Sequence, residues 1–122
     1  MPILDVTVVG ALEPEYHTNL ARRLADASAV ALGSRPAGTW VRLHHLPADQ
    51  YAENAPPAYV PPPPVFVEVL SADQPMGDLL AAEVEGLTNA VAVACGRSVG
   101  QVHILYLPSA RGRLALGGKL LE

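Results

Sequence analysis

Hydrophobic and polar positions along the chain fall into two successive strand, helix, strand patterns. Ile3 to Val9 reads ILDVTVV, rich in β-branched residues with Asp5 and Thr7 two apart, the period of a half-buried strand. From Glu15 the run EYHTNLARRLADASAVAL places Leu20, Leu24, Ala27 and Ala31 three or four residues apart, which predicts a helix ended by Gly33. TWVRLHHL, Thr39 to Leu46, alternates Arg42 and His44 against Val41 and Leu43, and Pro47 stops it. The order then begins again. VFVEVL (Val65 to Leu70) predicts a strand, Gly77 to Gly96 a helix despite the internal Gly86, and QVHILYL (Gln101 to Leu107) a fourth strand.

Between the two patterns, Ala55 to Pro64 reads APPAYVPPPP and holds six of the twelve prolines, a stiff extended connector that neither helix nor central strand would accept. Matching the halves pairs Asp5 with Glu68, Leu24 with Leu87, Ala31 with Ala94 and Gly33 with Gly96. After a two-residue shift it pairs Val41 with Val102, Arg42 with His103 and Leu46-Pro47 with Leu107-Pro108. This predicts an α/β (α+β) fold made of a tandem βαβ repeat, a four-stranded sheet with two helices on one face. The expected organisation is one domain over 1–122, with repeat one at 1–54, the proline-rich linker at 55–64 and repeat two at 65–122.

Composition narrows the function. A chain of 122 residues, half of them hydrophobic, can bury one modest core, and a spread net charge of −4 gives no reason to expect nucleic acid or an anionic membrane as partner. Cys95 is the only cysteine, so an internal disulfide is impossible and a thiolate zinc site would lack its other ligands. With no cationic leader ahead of the first apolar run, and no uncharged stretch near the roughly 20 residues of a membrane helix, a soluble cytoplasmic protein is expected. His44 and His45 are adjacent on a strand and point to opposite faces, while His17 and His103 lack partners at metal spacing, so no metal is expected. A phosphate loop and a dinucleotide fingerprint are both missing, so no cofactor is expected either.

Three features together resemble the tautomerase superfamily, which includes 4-oxalocrotonate tautomerase. The opening Met-Pro-Ile-Leu before a strand resembles the family's Met-Pro start. The run ARGRLALGGKLL, Ala110 to Leu121, is similar to its glycine-rich ending, with Gly112, Leu114, Leu116, Gly117, Gly118 and Leu120 matching. The doubled βαβ resembles fused members in which two short subunits have become one chain.

The resemblance implies a homotrimer, and a sheet with helices on one face only would leave its other face to be covered by neighbours. It also implies that Pro2, after removal of Met1, is the catalytic base. A terminal proline carries a secondary amine, α-amino groups titrate near 7.7 to 8, and burial beside cations favours the neutral form. Pro61 to Pro64 stand at the corresponding place in the second half, but their nitrogens are amides, so one site per chain is expected.

By the same resemblance Arg42 grips a substrate carboxylate, with His103 in the matching place of the second repeat. Glu53 matches a carboxylate that activates water in dehalogenase-like and decarboxylase-like fused members, with Tyr51 or Asn54 orienting its partner. Leu114 stands at an aromatic wall position, and Arg111 and Arg113 would add positive charge near it. A second family arginine, just after the first strand, has no counterpart among Gly10, Ala11 and Leu12, which argues against a two-carboxylate substrate. The expected activity is that of a cofactor-free isomerase, a keto–enol tautomerase acting on a small 2-oxo or 2-hydroxyalkenoic acid. Hydrolytic dehalogenation, decarboxylation and a non-catalytic ligand-binding trimer remain as alternatives.

Overall fold

Alternation along the strands decides which side of the sheet becomes the core. The computed structural model describes residues 2–122. Strand β1 (Ile3–Val9) is followed by helix α1 (Leu20–Leu32) and β2 (Trp40–Leu46), and β3 (Val65–Leu70) by α2 (Gly77–Cys95) and β4 (Val102–Tyr106). The sheet order is β2-β1-β3-β4, with β1 parallel to β2, β3 parallel to β4, and β1 antiparallel to β3. Leu4, Val6 and Val8 of β1 and Val65, Val67 and Val69 of β3 are buried under Leu20 and Leu24 of α1 and Leu87 and Val91 of α2. Both helices therefore cover the same face, and Trp40, Phe66 and Leu105 are left exposed on strand positions of opposite parity.

The repeat is visible in its punctuation. Gly33 and Gly96 both close their helices in the left-handed region, at φ 62° and 66°, and the next residue in each case donates back to the last turn, Ser34 to Ala29 O and Arg97 to Ala92 O. Gly96 is fixed twice over, because a Cβ there would meet the Tyr16 ring at 2.2 Å. Gly86 sits where α2 runs beside α1, its absent Cβ directed at Ala31. The strand matching needs one correction. Ile3 faces Trp40 and Val65 faces Val102, an equal separation, so the shift that pairs Val41 with Val102 serves both strands of the repeat. Asp5 then corresponds to Phe66; Glu68 is instead its neighbour across the sheet.

Three local features differ from the sequence reading. The helix expected from Glu15 begins at Leu20, because Pro14–Tyr16 forms a separate short turn and Asn19 takes φ 53°, outside the helical region. Arg23 holds this segment by donating to the carbonyl oxygens of Thr18 and Tyr16, and it ties the pair of helices together through Ala94 O at 2.8 Å. The proline segment is not uniformly extended: Tyr59 N donates to Pro56 O at 2.8 Å, a turn, and Arg97 and Gln101 fasten its end through the carbonyls of Pro63 and Pro64. Finally, Ala115–Leu116 and Lys119–Leu120 form a small antiparallel hairpin, β5 and β6, around Gly117-Gly118, both at positive φ. No helix among the described residues is long and apolar enough to cross a membrane.

Candidate active site

Topology brings four chain segments to Pro2. In a right-handed βαβ unit the helix runs back along the strands, so the end of α1 returns to the edge where β1 begins. Because β3 is antiparallel to β1, its exit and the entrance to α2 lie at that same edge. Pro2 shares the parity of Leu4 and is buried on the helix side there, with its carbonyl accepting from Trp40 N at 3.0 Å. A cavity of about 300 Å³ opens against it, lined also by Leu32 to Arg35 at the end of α1, Ser71 to Asp73 and Pro75 after β3, Val69, and Glu83 of α2. Met1, whose removal would free the Pro2 nitrogen, lies outside the described residues.

The charges lining this cavity differ in how they are engaged. Arg35 lines the cavity and makes no side-chain hydrogen bond or ion pair among the described residues. Asp73 is held by Arg111 through two bonds, Nε to Oδ1 at 2.9 Å and Nη2 to Oδ2 at 2.5 Å, and these hold its carboxyl below the ordinary range. Glu83 accepts from the Tyr106 hydroxyl at 2.7 Å. Burial first, and then this bond and the Glu83 charge, push the Tyr106 hydroxyl well above its ordinary value, so it serves as a donor.

The residues singled out from the sequence stand elsewhere in the chain. Arg42 lies on the uncovered face of the sheet, where Nε and Nη2 donate to Asp5 Oδ1 and Oδ2 at 2.7 and 2.8 Å, with His44 3.4 Å from Oδ1. Tyr51, Glu53 and His103 form a second group on that face. The Tyr51 hydroxyl donates to Glu53 at 2.6 Å, which raises its pKa, and the Tyr51, Phe66 and His103 rings follow one another at 5.9 and 5.6 Å. Asn54 and Arg113 are exposed and Leu114 is half-buried. None of these seven residues lines the Pro2 cavity within the chain.

The Asp5 cluster carries a pH prediction. Burial raises the Asp5 pKa, but hydrogen bonds and charge from Arg42 and His44 outweigh it, so the carboxyl sits below its ordinary value of 3.8. A lowered folded-state pKa contributes stability above that value and loses it as pH falls through the lowered one. Asp5→Asn is therefore expected to cost about 0.5–1 kcal/mol at pH 7, the scale of a partly exposed ion pair. The gap to wild type should close below about pH 4 in urea melts.

No protein-family model and no curated protein sequence matches the chain. Solved structures do. Pt0534 inactivated by 2-oxo-3-pentynoate superposes at TM-score 0.77 and 18% identity, over 98% of this chain and 95% of that one. A fused 4-OT solved as a symmetric trimer gives 0.77 and 20%, over 98% and 94%. FG41 malonate semialdehyde decarboxylase inhibited by 3-bromopropiolate gives 0.67 and 12%, over 90% and 86%. The chain has the tautomerase-superfamily fold. Within that tautomerase fold the structure adds residues that the sequence reading missed around Pro2, namely Arg35, Ser71, Asp73 and Glu83. For Arg35 a signal was present: it follows the helix-ending Gly33 by two residues, and the exit of a crossover helix returns to the edge where the first strand starts.

Proposed function

We propose that this chain is a cofactor-free tautomerase that moves a proton within a small 2-oxo or 2-hydroxyalkenoic acid, with Pro2 as general acid and base and Arg35 as the carboxylate-binding group. The observation that carries this reading is that Pro2 and Arg35, an arginine with no side-chain partner among the described residues, line one cavity of about 300 Å³, a volume suited to a small acid. Once Met1 is removed, the neutral secondary amine takes the proton from the enol oxygen and returns it to carbon, so that the ketone forms and the amine is regenerated. Arg35 binds the carboxylate through two parallel bonds and draws electron density toward it during the transfer. Glu53, the candidate water activator, does not line this cavity in its own chain, so within one chain nothing brings it to Pro2 for hydrolytic dehalogenation or decarboxylation.

The protein is proposed to work as a homotrimer. Support comes from the bare sheet face carrying Trp40, Phe66 and Leu105, and from the fused 4-OT relative of symmetric trimeric assembly. Such an assembly is also the route by which a neighbour's Arg42 would come to a Pro2 cavity.

Turnover of 2-hydroxyalkenoic acids, followed by their ultraviolet absorbance, tests the reading. Arg35→Gln should lower kcat/KM by about 1.5–3 kcal/mol in transition-state binding, the range for bonds to a charged group. Arg42→Gln measured beside it separates the two arginines. If Arg42→Gln carries the full loss and Arg35→Gln none, the carboxylate is gripped across a subunit interface instead.

A further inference from the structure

We propose that Arg111, which lies outside the Pro2 cavity, determines its selectivity for anions: its guanidinium cancels the Asp73 carboxylate on the cavity wall, so that an acid can enter. The inference rests on reading the cavity as a carboxylic-acid site. Arg35 supplies one positive charge there, while Asp73 and Glu83 supply two carboxylates, and the partner of Glu83 is the neutral Tyr106 hydroxyl. Left alone, that set would repel an anion. Arg111 changes the sum without occupying the cavity, since it is not among the lining residues. The fork-on-fork pairing with both Asp73 oxygens leaves the carboxylate little capacity to oppose a second anion, and the same bonds lower the Asp73 pKa.

The position of Arg111 is built into the backbone. Ala110 N donates to Ser71 O at 2.9 Å, Ser109 Oγ donates to Ala72 O at 2.7 Å, and Arg111 N donates to Ser109 Oγ at 3.2 Å, so residues 109–111 are laced to the wall segment 71–73. Its Nη1 donates in addition to the Glu122 backbone oxygen. As a stabilising device the exposed pair contributes little. Its reach is electrostatic, into a cavity that it borders.

Affinities for pyruvate and for its neutral methyl ester, measured by NMR titration of the processed protein, test the proposal without requiring turnover. Arg111→Gln should weaken pyruvate binding roughly three- to tenfold, the effect of one uncompensated charge on the cavity wall under partial solvent screening. Ester binding should stay within about twofold of wild type, and adding Asp73→Asn to Arg111→Gln should restore pyruvate affinity. Equal weakening for acid and ester would make Arg111 a structural latch and overturn the inference. So would a double variant that remains impaired, or a wild type that binds neither probe. Enol-acid turnover judges the tautomerase reading separately, since a charge effect on pyruvate does not depend on the Pro2 amine.

Discussion

Protein that keeps Met1 should turn over a 2-hydroxyalkenoic acid about 10²–10⁴-fold more slowly than the processed form, the contribution of a positioned general acid–base group. The extra residue converts the Pro2 nitrogen from an amine to an amide, which has no basic lone pair, while every other residue of the cavity is unchanged. Pro2→Ala in processed protein is the companion measurement. It leaves a primary amine that can still accept a proton but lacks the ring that fixes its direction. The Pro2 carbonyl is already bonded to Trp40 N, so the backbone at this position is held by the sheet rather than by the ring. Partial activity is expected from Pro2→Ala, rising with pH through one ionisation as in wild type. The difference between the two forms then reports loss of basicity apart from loss of geometry. Equal rates for the Met1-retained and processed proteins would remove the proline from the mechanism.

What was legible in the sequence was what local pattern encodes. The four main strands, α2 and the matching glycine endings follow from side-chain periodicity and from the left-handed turns that glycine accepts, and each lies within a residue or two of its expected place. The start of α1 was not legible, because residues 15–19 are arranged by Arg23 and by Tyr16 packing on Gly96, contacts made across the fold. The small hairpin carried a local signal in Gly117-Gly118, but its strands are only two residues long. The site divides in the same way. Pro2 could be named from the opening residues, whereas Asp73 and Glu83 reach it only because β3 is antiparallel to β1. Arg42 is instructive in another sense. Its alternation against Val41 and Leu43 holds in the sheet, where Asp5 faces it. Pro2 has the opposite parity from Asp5, so the same alternation puts Arg42 and Pro2 on different faces of one chain.

Leu87→Ala is the substitution expected to cost most in stability, about 2–5 kcal/mol. Leu87 is fully buried on α2 and belongs to the same cluster as Leu24 of α1 and the valines of β1 and β3, so its removal empties space between both helices and the sheet. A close-packed interior relaxes only in part around such a gap, and the lost contacts add to the lost burial. Gly86 increases the sensitivity. With no side chain of its own facing Ala31, it lets the helices approach closely, and little slack remains for α2 to sink into the vacated volume. At an unfolding entropy of about 2.1 cal/mol/K per residue, the loss corresponds to a fall of roughly 8–20 °C in Tm. Val93→Ala on the same helix is the control. Val93 is 77% exposed, and a change there is expected to stay within about 0.5 kcal/mol. Both variants should be melted at one protomer concentration, because assembly would otherwise shift Tm by mass action. Equal effects at the two positions would show that the buried seam between helices and sheet does not carry the stability assigned to it.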